Sequence, residues 1–455
     1  MNTSFFGELL QTISDRGRAL LDRTRERRGD APARSENFVE LCEELLTGRG
    51  EASGVALARE ILGHYEELTI GPRIAFFEAL ATRFGPDNDR LNAAIAAWQR
   101  APSDTTAAEV HLAAEPRRQE LFRRLNLAPN GTAALVRMRE RLIDAMDHRD
   151  DLAVVDADFV HLFTSWFNRG FLVLRRIGWS TPATILEKII RYEAVHAIRD
   201  WDDLRRRIDT PDHRCYAFFH PAMIDEPLIF VEVALTREIP SAIEPILAAK
   251  RDLLEPEKAT TAAFYSISNC QRGLAGVSFG SFLIKQVVEE ISREIPRLSN
   301  FVTLSPVPNF AEWLRRERLA ESSVALRPED KALLVILDRE DWWQNLGLAE
   351  KVRDPLLRAA VYYFLHARTS RGLPVDSVAR FHLGNGARLE RMNWLADTST
   401  KALRQSHGLM VNYLYELDDI EKNHEAYAEH RTVVASSGVT KLTRSAPLEL
   451  VPANT

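Results

Sequence analysis

The sequence predicts a two-domain α/β protein, in which an N-terminal all-helical bundle precedes a domain built on a mixed central sheet. The chain has 455 residues, which is too many for one ordinary hydrophobic core. Up to about Asp158 nearly every segment has helical periodicity, and β-branched runs are almost absent. After the segment WFNRGFLVLRRIGW, strand-like and helical segments are interspersed. The predicted domains are residues 1–165 and 166–455.

The helical half shows no fixed-period repeat, so a bundle is favoured over a repeat array. The segment SENFVELCEELLTG places Phe38, Leu41, Leu45 and Leu46 on one helix face, with Ser35 as a suitable N-cap. Three similar segments follow, and the first two end in Gly-Pro or Pro sequences that stop a helix. They are GPRIAFFEALATRFGPD, NDRLNAAIAAWQRAP and PNGTAALVRMRERLIDAMDHRDD.

The second half alternates between strand and helix patterns. EPLIFVEVALT, from Glu226 to Thr236, is nearly continuously apolar, as expected for a strand buried on both faces. Four further strands are predicted in AAFYSIS, NFVTLSPVP, DSVARFHL and GLMVNYLYE. Helices are predicted in STPATILEKIIRYEAVHAI, FGSFLIKQVVEEISREI, RPEDKALLVILD and DPLLRAAVYYFLHAR.

Composition excludes several classes of protein. A net charge of −6 gives no indication of nucleic-acid binding. The sequence contains no run of about 18 apolar residues, so no membrane span is expected. The three scattered cysteines, Cys42, Cys215 and Cys270, favour a reducing compartment and argue against a disulfide framework or a zinc site. The arginine-rich first 30 residues also carry acidic residues, unlike a mitochondrial presequence, so we expect a cytoplasmic protein.

A glycine-rich stretch offers a candidate phosphate site. A strand-like run, Phe264 to Ser268, is followed by Gly273, Gly276 and Gly280 and then by a helix from about Ser281. The spacing fits neither a Walker A loop nor a Rossmann fingerprint. Backbone amides in such a loop and in the first helical turn can nevertheless bind phosphates. The alternative is that the glycines only permit a tight connection between strand and helix.

Three further stretches carry a family resemblance. FHPAMIDEPLIFVEVALT, LSPVPNFAEWL and FHLGNGARLERMNWLAD resemble malonyl-CoA decarboxylases in content, order and spacing. The glycine loop also resembles the pyrophosphate-binding segment of the GNAT acyl-CoA fold. The resemblance implies a helical oligomerisation domain followed by a GNAT-like catalytic domain. It implies decarboxylation of malonyl-CoA to acetyl-CoA, in malonate or fatty-acid metabolism. It also implies a bacterial cytoplasmic form, a dimer or tetramer, and no metal or cofactor beyond the coenzyme A of the substrate.

The resemblance also assigns site residues. Ser305 of the Leu-Ser-Pro motif and His382 of the Phe-His-Leu motif match the catalytic serine and histidine of the family. Possible pocket residues are Ser266, Tyr415 and His220. Some family members have a glutamate where this chain has Ser278, so no carboxylate is assigned there. The acyl-CoA loop is carried over as Ala275, Gly276, Val277, Ser278, Phe279, Gly280 and Ser281.

The mechanism can be argued from the substrate itself, since the thioester carbonyl accepts the electrons that CO2 leaves behind as an enolate. His382 suits protonation of C2, because a histidine normally titrates near neutral pH. Ser305 suits a hydrogen-bonding role better than that of a base, because the substrate acid is already ionised. Two alternatives remain open at this point: a GNAT-type acyltransferase, and a non-enzymatic acyl-CoA sensor.

Overall fold

The computed structural model describes residues 11–13, 15–16, 18, 38–47, 50–277, 279 and 283–444. They form two compact units, each assembled from separate pieces of the chain. The first unit draws on Met1–Val173, Phe219–Leu228 and Gln271–Gly280, and the second on Leu174–Phe218, Ile229–Cys270 and Ser281–Thr455. The domain boundary between residues 165 and 166 stays a prediction.

The first unit confirms the predicted all-helical region. Phe38, Leu41 and Leu45 lie buried on one face of the helix that begins at Phe38, as predicted, and Leu46 is half-buried. Ser35 lies outside the described residues. A buried Arg118–Asp158 ion pair joins two helices of this unit. The helices are α1 (Phe38–Leu46), α2 (Glu51–Glu67), α3 (Ile70–Thr82), α4 (Asn88–Arg100), α5 (Asp104–Ala114), α6 (Arg117–Asn126), α7 (Gly131–Ala145) and α8 (Ala153–Trp166).

The described part of the glycine loop packs on α7 within this unit. Arg139 donates hydrogen bonds to the carbonyl oxygens of Gly273, at 2.8 Å, and Ala275, at 2.7 Å. Asp156 holds the same guanidinium at 2.7 Å. A Cβ atom on Gly273 would lie only 2.0 Å from the carbonyl oxygen of Val136. Close backbone packing therefore requires a glycine at position 273.

The second unit contains most of an eight-stranded mixed sheet, which confirms the predicted class. The strand order is β1-β2-β3-β4-β5-β8-β6, and β7 pairs with β8. β4 and β5 are parallel, whereas β3 is antiparallel to β4, and β8 is antiparallel to β5, β6 and β7. The strands are β1 (Val173–Ile177), β2 (His213–His220), β3 (Met223–Thr236), β4 (Thr261–Asn269), β5 (Asn300–Thr303), β6 (Ser305–Pro306), β7 (Arg388–Asn393) and β8 (Met410–Leu414).

One strand prediction is wrong. The segment DSVARFHL forms a helix, which begins at Ser377 and ends at Gly384. Its buried residues are Ala379, His382 and Leu383, at helical spacing. The sequence pattern resembled that of a strand because His382 was counted as a polar, exposed position, whereas the structure buries it. Strands β1, β2 and β7 lack a strong apolar alternation and were not predicted.

The second unit also contains helices. The apolar stripe predicted after the glycine loop, from Leu283 to Ile291, is buried. None of the helices in the described ranges has the length and apolar character needed to cross a membrane. The helices are α9 (Ala183–Tyr192), α10 (Trp201–Ile208), α11 (Glu244–Leu247), α12 (Leu283–Glu294), α13 (Phe310–Leu319), α14 (Pro328–Leu334), α15 (Leu346–Leu365), α16 (Ser377–Gly384), α17 (Thr400–Ser406), α18 (Ile420–His430) and α19 (Ser437–Arg444).

We predict that Gly273→Ala lowers the free energy of unfolding by about 3 kcal/mol, because the new methyl group overlaps the backbone of α7. Gly63→Ala is the matched control, since nothing lies within 4 Å of the added Cβ in helix α2. That change should raise the free energy of unfolding by about 0.5–1 kcal/mol. Urea unfolding followed by circular dichroism measures both. Equal stabilities of the two variants would contradict the proposed packing of the loop.

Candidate active site

Two residues separated by 77 positions in sequence meet in the second unit. The Oγ atom of Ser305 lies 3.1 Å from Nε2 of His382. Ser305 stands just beyond the last parallel pair of β4 and β5, Phe264 with Thr303, and pairs with Val411 of β8 instead. Both side chains are buried. The predicted catalytic pair is therefore brought together at the end of the parallel strands.

The position of His382 depends on how helix α16 begins. Asp376 is the N-cap and accepts a hydrogen bond from the backbone N–H of Ala379 at 2.7 Å. The hydroxyl of Tyr363 donates to the same carboxylate at 3.2 Å. Burial raises the pKa of Asp376 to about 6, although these hydrogen bonds oppose the shift. The cap fixes the first turn of the helix, and His382 lies on the buried face one and a half turns later.

Two tyrosines hold the imidazole of His382: Tyr413 of strand β8, and Tyr415, which directly follows the strand. The hydroxyl of Tyr415 lies 2.8 Å from Nδ1, and the ring of Tyr413 stacks on the imidazole at a centroid distance of 4.6 Å. Burial lowers the pKa of His382 to about 3. The expectation that this histidine titrates near neutral pH is therefore wrong, because the fold removes its ring from water. At neutral pH the imidazole is uncharged.

Thr303 and Tyr413 belong to this group and were missed in the sequence. Ser305 donates a hydrogen bond to Oγ1 of Thr303 at 2.9 Å, and the backbone N–H of Tyr413 donates to the same oxygen at 3.1 Å. Each missed residue lies two positions before a candidate residue, Ser305 or Tyr415. Side chains two positions apart in an extended chain lie on the same face. This spacing was the signal by which the sequence could have identified the two missed residues.

A polar network fixes β8 against β5 from the other side. The side-chain amide of Asn412 donates to the backbone oxygen of Thr303 at 2.8 Å. Its own oxygen accepts from Asn393 at 2.8 Å and from Arg391 at 3.1 Å. These buried amides are satisfied by one another and by the backbone. Strand β8 therefore keeps its register next to the site.

Ser266, a predicted pocket residue, also lies in the second unit but forms different hydrogen bonds. Its hydroxyl donates to Oε2 of Glu193 at 2.7 Å, and the hydroxyl of Ser268 lies 3.3 Å from the same oxygen. The other carboxylate oxygen of Glu193 accepts backbone N–H groups from Val195 and His196, each at 2.7 Å. Ser266 thus helps to order the chain that follows helix α9.

His220 lies in the first unit, where both of its ring nitrogens contact backbone groups. The N–H of Ala222 donates to Nδ1 at 3.1 Å, so Nε2 carries the proton and donates to the oxygen of Trp166 at 3.1 Å. The ring packs against Phe167 at 4.9 Å. Burial lowers the pKa of His220. This geometry favours the packed strand-end histidine, the alternative to a pocket residue.

The candidate acyl-CoA loop is described at Ala275, Gly276, Val277 and Phe279, whereas Ser278, Gly280 and Ser281 lie outside the described residues. Gly276 has a φ of +77°, and nothing lies within 4 Å of a Cβ built there. Its backbone conformation, not crowding, therefore favours glycine. Two cations close to this loop in the sequence form ion pairs: Arg272 with Asp144, and Lys285 with Glu421.

Comparison with known proteins gives a consistent match across most of the chain. The family model of the malonyl-CoA decarboxylase C-terminal domain matches residues 170–451, and that of the N-terminal domain matches residues 84–167. The mitochondrial malonyl-CoA decarboxylase of Anser anser anser is 36% identical over 413 residues, with 84% of this chain and 82% of that protein covered. The Rattus norvegicus protein is 33% identical over 453 residues, which cover 92% of this chain and 87% of that protein.

Solved structures of bacterial proteins match more closely than these relatives. The crystal structure of malonyl-CoA decarboxylase from Rhodopseudomonas palustris has a TM-score of 0.87 and 57% identity, and covers 90% of this chain and 100% of that chain. The crystal structure of malonyl-CoA decarboxylase from Agrobacterium vitis has a TM-score of 0.86 and 56% identity, and covers 90% of this chain and 99% of that chain.

We predict that the imidazole of His382 stays neutral in the folded protein from pH 8 to pH 5. Its folded pKa lies below the value of about 6.5 in an unfolded chain. Its contribution to stability is therefore complete above pH 6.5 and is lost as the pH falls toward 3. An NMR titration of 15N-histidine protein, with His382 assigned by a His382→Gln variant, measures this. The same label in urea is the control and should titrate near pH 6.5; a titration of the folded site near that pH would contradict the prediction.

Proposed function

The chain belongs to the malonyl-CoA decarboxylase family, whose members are carboxy-lyases, and from this premise we propose that Ser305 and His382 carry out its reaction. The observation that supports the assignment is the buried 3.1 Å contact between their side chains. Because the chain belongs to this family, the decarboxylase function is preferred to the acyltransferase and sensor alternatives. The reaction releases CO2 from malonyl-CoA and leaves acetyl-CoA.

The reaction needs no external electron sink. The carboxylate of malonyl-CoA is ionised at neutral pH, and the pair of electrons from the broken C–C bond enters the thioester as an enolate. The protein has to hold the carboxylate out of the thioester plane, stabilise the enolate oxygen and protonate C2. One donor aimed at a developing oxyanion is worth about 10²–10³ in rate, and proton delivery about 10²–10⁴. The proposal therefore requires neither a metal nor a cofactor.

His382 is the proposed proton donor to C2. Because the imidazole is neutral, it donates from an N–H group rather than as an imidazolium, and the hydroxyl of Tyr415 at Nδ1 is placed to support the ring during that step. Ser305 is the proposed hydrogen-bonding partner that orients His382. A serine alkoxide would be costly in this buried place, and an ionised acid needs no base.

The loop from Ala275 to Ser281 is the proposed site for the diphosphate of coenzyme A. Supporting this, Arg139 fixes the carbonyl oxygens of Gly273 and Ala275, so that the backbone leading into the loop is ordered before a ligand binds. Gly276 then turns the chain through a left-handed conformation. An ordered backbone loses less entropy when it binds phosphate.

Self-association through the helical domain is also proposed. Helix α4 has no buried residue and α5 buries only Ala113, although Trp98 and Leu112 on these helices are apolar. The exposed fractions of these two side chains are 43% and 55%. Burial of such side chains against a second copy would remove apolar surface from water.

A bacterial cytoplasmic setting is proposed for the protein. It agrees with the higher identity to the bacterial structures than to the mitochondrial relatives. It also agrees with the three cysteines, which are buried and form no disulfide.

We predict that His382→Ala lowers kcat about 10²-fold or more through loss of the proton donor, and that Ser305→Ala costs a comparable factor. The double variant should be little worse than the worse single variant, because groups that act as a unit are non-additive. Mass spectrometry of malonyl-CoA turnover in EDTA measures this, and the wild type should keep its full rate there. His407→Ala, which removes a half-buried histidine, is the control and should leave kcat nearly unchanged.

Two results would overturn this assignment. Turnover of His382→Ala near the wild-type rate would remove the proposed donor. Losses that multiply in the double variant would show that the two residues act independently.

We predict that Gly276→Val weakens acetyl-CoA binding about tenfold or more, because a branched side chain stands where the backbone approaches phosphate. Gly372→Val is the matched control, since Gly372 has a similar φ of +73° and equally open surroundings. Titration calorimetry with acetyl-CoA compares the two. Equal affinities in both variants would place the diphosphate elsewhere.

A further inference from the structure

The hydrogen bonds around Ser305 run in one direction. Ser305 is the donor and Thr303 the acceptor of their 2.9 Å hydrogen bond. The oxygen of Thr303 also accepts the backbone N–H of Tyr413 at 3.1 Å. A hydroxyl group carries one hydrogen, so the only proton of Ser305 is used in its bond to Thr303.

This direction determines which nitrogen of His382 carries the proton. In the 3.1 Å contact with His382, Ser305 has no hydrogen left to donate, so Nε2 has to be the donor. A neutral imidazole has a single N–H group, which leaves Nδ1 as an acceptor. The contact of 2.8 Å at Nδ1 is then a hydrogen bond donated by the hydroxyl of Tyr415. The whole chain therefore runs from Tyr415 through His382 and Ser305 to Thr303.

We propose that Thr303 is a positioning residue that sets the tautomer of His382 by accepting the proton of Ser305. The inference rests on the proposed function of His382 as proton donor. Thr303 is fully buried, so no water competes for its oxygen. Without this acceptor, Ser305 would turn its proton toward Nε2. The imidazole would then carry its hydrogen on Nδ1, facing Tyr415 and not Ser305.

The tautomer matters because it decides which proton C2 can receive. With Nε2–H in place, the enolate carbon forms its new C–H bond with the electron pair that CO2 left behind, and the N–H bond pair stays on Nε2. Nδ1 takes the proton of Tyr415 in the same step, so no imidazolate forms. Burial raises the pKa of Tyr415, but its phenolate is still a far weaker base than an enolate. A proton from solvent restores the hydroxyl before the next turnover. In the other tautomer, Nε2 has no proton to give.

The stacking partner of His382 contributes to the same arrangement. Tyr413 supplies the N–H that occupies one lone pair of Thr303, and its ring packs against the imidazole. Thr303 and Ser305 are two positions apart and face the same side of the chain. The pairing of β8 with both β5 and β6 therefore aligns the acceptor, the serine and the ring.

The test compares Thr303→Val with Thr303→Ser. Valine keeps the β-branched shape and removes the acceptor, whereas serine keeps the hydroxyl. Long-range 1H–15N correlation of 15N-histidine protein, without ligand, shows which nitrogen of His382 is protonated. We expect Nε2–H in the wild type and in Thr303→Ser, and Nδ1–H in Thr303→Val. We expect kcat for malonyl-CoA to fall about 10²-fold in Thr303→Val, with KM nearly unchanged, and to recover in Thr303→Ser.

Thr261→Val is the matched control, because it removes another buried threonine hydroxyl from the adjacent strand β4. It should change neither the tautomer nor kcat. The proposal is overturned if the wild type carries the proton on Nδ1, or if Thr303→Val keeps it on Nε2. If Thr303→Val does not fold, the wild-type and Thr303→Ser spectra still decide the tautomer. Retained turnover in His382→Ala would instead overturn the proposed function, whatever the spectra show.

Discussion

The pairing of strand β8 with both β5 and β6 is the constraint on which the site depends. Along β8, successive side chains point to opposite sheet faces, and this alternation separates two tasks. Tyr413 and Tyr415 contact His382 on one face, whereas Asn412 holds the backbone of Thr303 from the other. A shift of one residue would exchange the two faces and remove both tyrosines from the imidazole. The buried amide network around Asn412 makes such a shift costly.

Burial of His382 has a chemical consequence for a decarboxylase. An imidazolium beside the substrate would pair with its carboxylate and stabilise the reactant more than the enolate, in which the charge has moved to the thioester. Only interactions that are stronger in the transition state raise kcat. A neutral imidazole, whose pKa is lowered to about 3 by burial, avoids that ground-state interaction. It can still donate a hydrogen bond, and hydrogen bonds are stronger in a site with little water.

The glycine loop shows two different reasons for the same residue type. Gly273 is required because a Cβ would overlap the backbone of α7, whereas Gly276 is favoured by its positive φ in open surroundings. The sequence alone does not distinguish these cases, since both glycines lie in one short run. Their proposed roles differ accordingly: one anchors the loop, and the other shapes the part that would face a ligand.

The sequence by itself determined the helical first region, the mixed sheet, the apolar stripe from Leu283 to Ile291 and, by motif, the choice of Ser305 and His382. These features follow from local periodicity and from short segments, which a single chain displays directly. Only the tertiary structure decided that DSVARFHL is a helix, that Thr303 and Tyr413 belong to the site, and that His382 is uncharged. Each of these depends on contacts between distant segments: the helix buries a histidine, the two missed residues meet across β5 and β8, and the pKa shift comes from exclusion of water.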